Sequence, residues 1–124
     1  MNPSSAKRER VTLDPDWYEP YNISLAIKAG GLVYVSGQAG FDERGNTVGD
    51  GDFEAQARQA FSNLERVLVQ SGSSLADVVK VTILLTDMSN LDKLVRLRAE
   101  YFTKPYPADT LLEVSSLAQP EWQI

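Results

Sequence analysis

Apolar and polar residues alternate over positions 23–28, with Ile23, Leu25 and Ile27 set against Ser24, Ala26 and Lys28. A period of two puts successive side chains on opposite faces of an extended strand. Gly30-Gly31 signals a tight turn, and Leu32-Val33-Tyr34-Val35 follows as a second, more buried strand that closes a hairpin. The period then changes. Phe53, Ala57, Ala60, Phe61, Leu64, Val67 and Leu68 recur at helical spacing and form one apolar stripe. Asp52 stands where an N-cap belongs, Glu54 suits the dipole of a first turn, and Gly72 is placed to end the helix. Val79, Val81, Ile83 and Leu85 alternate with Lys80, Thr82, Leu84 and Thr86, the clearest strand of the sequence. Ser89-Asn90-Leu91-Asp92 has the form of a capping box opening a second helix. That helix is expected to bury Leu91, Leu94, Val95, Tyr101 and Phe102 before Pro105 and Pro107 forbid its continuation. A last clear strand covers positions 110–117.

The order hairpin, helix, strand, helix, strand predicts an α+β sandwich with both helices on one sheet face. Residues 1–20 are polar and punctuated by Pro3, Pro15 and Pro20, so they read as an arm with at most one short strand at 10–13. Positions 40–51 hold Gly40, Gly45, Gly49 and Gly51 among several acids and read as a loop. Residues 1–124 are therefore expected to form a single domain. Trp122-Gln123-Ile124 has the look of a strand beginning, which makes the final strand incomplete at 124.

Composition removes several chemistries. With no cysteine and no histidine, the chain has no thiol nucleophile, no Ser-His-Asp triad and almost no route to a zinc site. A net charge of −5 argues against nucleic acid, because phosphate binding needs clustered cations. The nearest cluster, Lys7, Arg8 and Arg10, is interrupted by Glu9 and reads as a solvated tail. Asp42, Glu43, Asp50, Asp52 and Glu54 fit no calcium loop and read as a solvated glycine-rich turn. No apolar run approaches membrane-spanning length, so a cytoplasmic protein with no membrane partner is expected.

Several segments together resemble the Rid/YjgF family, also known as endoribonuclease L-PSP. They are Ala29-Gly30-Gly31-Leu32-Val33-Tyr34-Val35-Ser36-Gly37-Gln38, the helical run from Gln56 to Leu64, Gly72 with positions 75–82, Asp87, and Pro107-Ala108. They span most of positions 20–118 in the family's order. The resemblance implies a chorismate-mutase-like fold, a twisted mixed sheet backed by two helices. It further implies a homotrimer with ligand pockets between neighbouring subunits. It also implies hydrolytic deamination of enamine or imine metabolites without a metal or organic cofactor.

That chemistry needs a cation to hold a substrate carboxylate and a group to move protons. The family's arginine directly follows Pro-Ala; here Asp109 stands there. An isolated carboxylate about 4 Å from a substrate carboxylate costs roughly 4 kcal/mol at an effective dielectric near 20. A simple 2-imino acid is thus disfavoured, and a neutral or cationic amine-bearing ligand suits the position better. Val95 stands at the family's pocket asparagine, and the pocket tyrosine aligns with Ile23, with Tyr21 two residues earlier. The family's catalytic glutamate falls one residue beyond position 124. By resemblance the substrate-binding set is Ser36, Gly37, Gln38, Val95, Pro107, Ala108, Asp109 and Thr110, with Asp109 and Tyr21 as catalytic candidates.

The residues also carry plainer readings. Ser36-Gly37 can simply end a strand, Tyr21 can be an interface aromatic, and Asp109 can be a solvated acid. Arg96 and Arg98 read as surface charges, with Glu100 the partner of Arg96, unless Arg98 replaces the missing arginine. The face carrying Thr82, Leu84 and Thr86, together with Leu111 and Glu113, is mixed in polarity and suits a subunit interface. Three functions remain open: a retuned deaminase, a non-enzymatic ligand-binding or regulatory scaffold, and an RNA-cleaving enzyme. The acidic balance and lack of histidine weigh against the last.

Overall fold

A computed structural model of the protein describes residues 7–124; Pro3, read as part of the N-terminal arm, lies outside them. Three strands, β1 (Glu9–Val11), β2 (Ala26–Ala29) and β3 (Leu32–Val35), form an antiparallel sheet in that order. The 18-residue helix α1 (Phe53–Gln70) follows, then β4 (Lys80–Leu85), α2 (Leu91–Tyr101) and β5 (Ala108–Glu113). β4 and β5 pair in parallel across the α2 crossover and make a second, two-stranded sheet. The fold is α+β, with antiparallel and parallel strands and two helices, as the hydrophobic periods predict.

Local chemistry sets these elements. Gly30 and Gly31 take φ of 60° and 79°, the left-handed pair that a two-residue hairpin turn demands. Asp52 caps α1 by accepting from the Ala55 amide at 3.1 Å, and Gly72, at φ 82°, turns the chain away after Ser71. The α1 stripe is buried as the spacing requires, with only Leu64 partly exposed.

Several boundaries and faces differ from expectation. The first strand of the hairpin pairs only from Ala26, leaving Ile23 outside it and 45% exposed. β3 is not the more buried strand, since Leu32 and Tyr34 are both more than half exposed. β1 covers residues 9–11 rather than 10–13, and β5 ends at Glu113 rather than at 117. No strand forms at 122–124, although the Thr86 amide donates to the Gln123 carbonyl at 3.1 Å.

At the start of α2 the expected capping box does not form. Asn90 caps nothing with its side chain; Asp87 instead accepts from the Ser89 amide at 2.9 Å and fixes a 3-10 turn that leads into the helix. The buried face of α2 is Leu94 and Leu97, continued by Phe102, while Leu91 and Val95 are exposed. The mixed face of the β4–β5 sheet also carries different residues. The register pairs Thr82 with Thr110 and Leu84 with Leu112, and paired residues share a face. Leu111 and Glu113 therefore belong to the opposite side. Leu111 packs on the core there, and the Glu113 carboxylate accepts from the Met88 amide at 2.9 Å.

The core lies between α1, α2 and the second sheet, around Phe53, Phe61, Leu85, Leu94 and Leu97. A second cluster under the antiparallel sheet gathers Trp17, Leu25, Phe41 and Val67. Phe61 stacks on Tyr101 at 4.6 Å between ring centroids, and Arg58 ties the two helices through Glu100 at 2.7 Å. Glu100 thus pairs with Arg58 rather than with Arg96. The donated hydrogen bond from Arg58 holds its carboxyl below the usual range.

Candidate functional site

The strand β3 runs out at Ser36-Gly37-Gln38, and these three residues line a cavity of about 1000 Å³ between the two sheets. Its floor is the α1 stripe at Phe61, Leu64 and Leu68, its far wall is β4, and Trp122 and Ile124 reach its rim. The polar groups near Ser36 are largely engaged. The Ser36 hydroxyl donates to the Ser24 carbonyl at 2.6 Å, and the Gln38 amide donates to the Ser36 carbonyl at 3.1 Å. The Trp17 indole donates to the Gln38 side-chain oxygen at 3.3 Å. The Tyr18 hydroxyl donates to the Gly37 carbonyl. Burial pushes the Tyr18 hydroxyl up to about 12, favouring its protonated, donating form.

Pro107, Ala108, Asp109 and Thr110 lie at the start of β5 and do not line this cavity. Asp109 projects to the helix side of the sheet and meets Arg98 of α2, Nη2 to Oδ1 at 2.9 Å. The two side chains are 25% and 22% exposed, so the pair is shielded but reachable. Arg98 is therefore an ion-pair partner of the residue at the family's arginine position rather than a solvated charge. Its Nε is buried and has no partner among the described residues. Val95 precedes Arg98 by three residues, one turn along α2, and is 51% exposed. Thr110 lies on the opposite sheet face, where its hydroxyl meets the Lys80 ammonium at 3.0 Å.

One chain thus divides the predicted site residues between two places. Ser36, Gly37 and Gln38 line the cavity, and Ile23 joins them; Val95, Pro107, Ala108, Asp109 and Thr110 do not. Tyr21 lines neither place and is 67% exposed on a 3-10 turn, whereas Tyr18 reaches the cavity. Of the loop acids, Asp42 accepts from the amides of Arg44 and Asn46 and Asp52 caps α1, which are turn and cap roles.

Sequence reading passed over the buried polar residues of α1. Gln56 is fully buried, donates to the Gly49 and Glu121 carbonyls at 3.1 and 2.9 Å, and accepts from the Gln123 amide at 2.8 Å. Asn63 donates to the Ala39 and Phe41 carbonyls. The signal was present, since both lie among the apolar stripe positions, where an unpaired amide would be costly.

Relatives decide the family. The profile described as endoribonuclease L-PSP matches residues 12–124. A RutC family protein of Pyrococcus horikoshii is 41% identical over 98 residues, 79% of this chain and 76% of its own length. The chain belongs to the Rid/YjgF family. A 2-iminobutanoate/2-iminopropanoate deaminase of Dermatophagoides farinae is 35% identical across 85% of this chain and 80% of its own. Among solved structures, the Rid family protein YyfA of Yersinia pestis superposes with a TM-score of 0.87 at 30% identity, covering 94% of this chain and 93% of that one. A RidA from an Antarctic Psychrobacter gives 0.76 at 36% identity, over 82% and 81%. The match to the Rid/YjgF fold covers both places that hold the predicted residues, the Ser36–Gln38 strand end and the start of β5. No helix among the described residues is long and apolar enough to cross a membrane.

Proposed function

We propose that this Rid-family chain forms a homotrimer with small-metabolite pockets between subunits. Its reaction is hydrolytic deamination of an imine, enamine or other amine-bearing metabolite, without a cofactor, and not of simple 2-imino acids. Water adds across the C=N bond, the C–N bond then breaks, and a carbonyl product and ammonia leave. The observation that carries this reading is Asp109, ion-paired with Arg98 at the place where family resemblance puts a lone arginine. A lone guanidinium offers a ligand carboxylate a free bidentate partner; this pair offers no net charge. Arg98 offsets much of the repulsion that Asp109 alone would exert, yet the position gives a simple carboxylate little grip.

Two further features support the assembly. The face of β4 and β5 that carries Leu84 and Leu112 among Thr82, Thr110 and Lys80 leaves Leu112 51% exposed and Leu84 half-buried among the described residues. The site residues at Ser36–Gln38 and at Val95, Pro107, Ala108 and Asp109 are separate within one subunit, so a pocket using both draws on two subunits.

The test is turnover of a panel of imines and enamines generated in solution, with and without a carboxylate. Faster release of ammonia than in protein-free solution, strongest for amine-bearing substrates, supports the reading. The second reading, a non-enzymatic ligand-binding scaffold, is favoured by the internal engagement of Ser36 and Gln38. Binding of the same panel with no turnover selects it. RNA cleavage that copurifies with the protein and vanishes in Asp109→Asn would revive the nuclease reading.

A further inference from the structure

The Arg98–Asp109 contact uses only part of what each group offers. A guanidinium grips a carboxylate side-on through Nε and one Nη together. Here Asp109 takes Nη2 alone, by one oxygen, and Nε of the same side chain is buried without an acceptor. Oδ2 of Asp109 receives no hydrogen bond among the described residues, and neither group has a second charged partner there. Lys80 bonds Thr110 on the other sheet face, Glu113 takes the Met88 amide, and Glu100 holds Arg58.

A shielded pair of this kind responds differently to three classes of ligand. An anion that takes Arg98 strands the Asp109 carboxylate, and a cation that takes Asp109 strands the Arg98 guanidinium. Each exchange gains one ion pair and leaves one partly desolvated charge alone. A ligand carrying both an anionic group and a fixed cationic nitrogen leaves neither charge alone. Its carboxylate takes the Nη groups of Arg98 that Asp109 now occupies in part, and its ammonium takes Asp109.

We infer that Arg98 and Asp109 together form a charge-reading pair that opens by exchange of partners and selects zwitterionic small molecules of the amino-acid type. The inference rests on the proposed function in placing residue 109 at the ligand pocket, and it deepens that reading by naming the charge pattern, a carboxylate with a fixed cationic nitrogen, that a substrate carries beside its imine or enamine group. Arg98 is the specificity-determining residue that sequence comparison at position 109 alone would miss. A neutral imine bearing a carboxylate leaves Asp109 unpaired, which accounts for the expected weakness toward simple 2-imino acids.

The experiment is calorimetric titration of the whole protein with three molecules of one carbon skeleton: 2-aminobutanoate, butanoate and butylamine. The expected result is that 2-aminobutanoate binds at least about tenfold more tightly than either single-charge probe. Asp109→Asn is expected to move the preference toward butanoate, and Arg98→Met toward butylamine, each by about tenfold. Far-ultraviolet circular dichroism and a thermal melt establish that both variants fold. Arg98→Lys keeps the charge without the fork and is expected to weaken 2-aminobutanoate while leaving the order of the three probes intact. Equal binding of 2-aminobutanoate and butanoate, no binding of any probe, or variants that leave the order unchanged would overturn the inference. Its failure and that of the proposed function are separable. Imine turnover with no zwitterion preference defeats the inference alone, and zwitterion preference without turnover defeats the deaminase reading alone.

Discussion

Gln56 and Asn63 lie seven residues apart, two turns of α1, and both side chains are buried among apolar neighbours. Their amides hold the loop at 39–49 and the segment at 121–123 against the helix, so each does what a satisfied buried polar group must. Gln56→Leu leaves the Gly49 and Glu121 carbonyls and the Gln123 amide without that partner, and a loss of about 2–4 kcal/mol in urea unfolding is expected. Gly40 is fixed by the same helix: a Cβ there would sit 2.7 Å from Cα of Gln56, backbone that cannot step aside. Gly40→Ala is expected to cost roughly 1–3 kcal/mol. Tyr18 gives a sharper signature. Its hydroxyl, held protonated by burial, should titrate near 12, above the ordinary tyrosine value. The associated stability is complete below the ordinary tyrosine value and lost as pH rises through the folded one. Absorbance of tyrosinate against pH, with Tyr18→Phe removing a step near 12, checks this.

At the level of elements, the clean periods were legible and the faces less so. The α1 stripe, its Asp52 cap and the Gly30-Gly31 turn follow from side-chain spacing and glycine stereochemistry alone. α2 was harder, because Leu91, Leu94, Val95 and Leu97 are all apolar and only packing decides which of them turn inward. The helix buries Leu94 and Leu97, and Val95 looks out beside Arg98. Leu94→Ala is therefore expected to cost about 2–5 kcal/mol, and Val95→Asn less than about 0.5 kcal/mol, in the same unfolding experiment. The site was half legible. Asp109 could be marked from its position, but its partner Arg98 stands eleven residues earlier on another element, and no spacing rule joins a helix to a strand start. The segment at 121–123 carries its own pH dependence. The Thr47 hydroxyl holds the Glu121 carboxyl below the usual range. That tether is present above the ordinary carboxylate value and is lost as pH falls through the lower folded one. The Gln123 amide should lose exchange protection in acid before the Ser71 amide does; equal loss would contradict the tether.

For the molecule as a whole, the consequences run through the Leu84–Leu112 face of β4 and β5 and the Arg98–Asp109 pair on the other side. Paired register puts Leu84 beside Leu112 on that face, and among the described residues Leu112 stays 51% exposed there. The proposed trimer covers it. Sedimentation at micromolar concentration is expected to give a trimer, and Leu112→Arg a smaller species with its secondary structure intact. The measurement that bears most directly on the central claim is hydrolysis of 2-iminopropanoate, generated in solution, by the protein and by Asp109→Arg under the same conditions. The proposal predicts a rate for the unaltered protein close to that of free solution, and a rise of at least about tenfold when arginine replaces Asp109. Rapid hydrolysis by the unaltered protein, with no gain in Asp109→Arg, would contradict it and leave Arg98 as a sufficient grip on a simple imino acid.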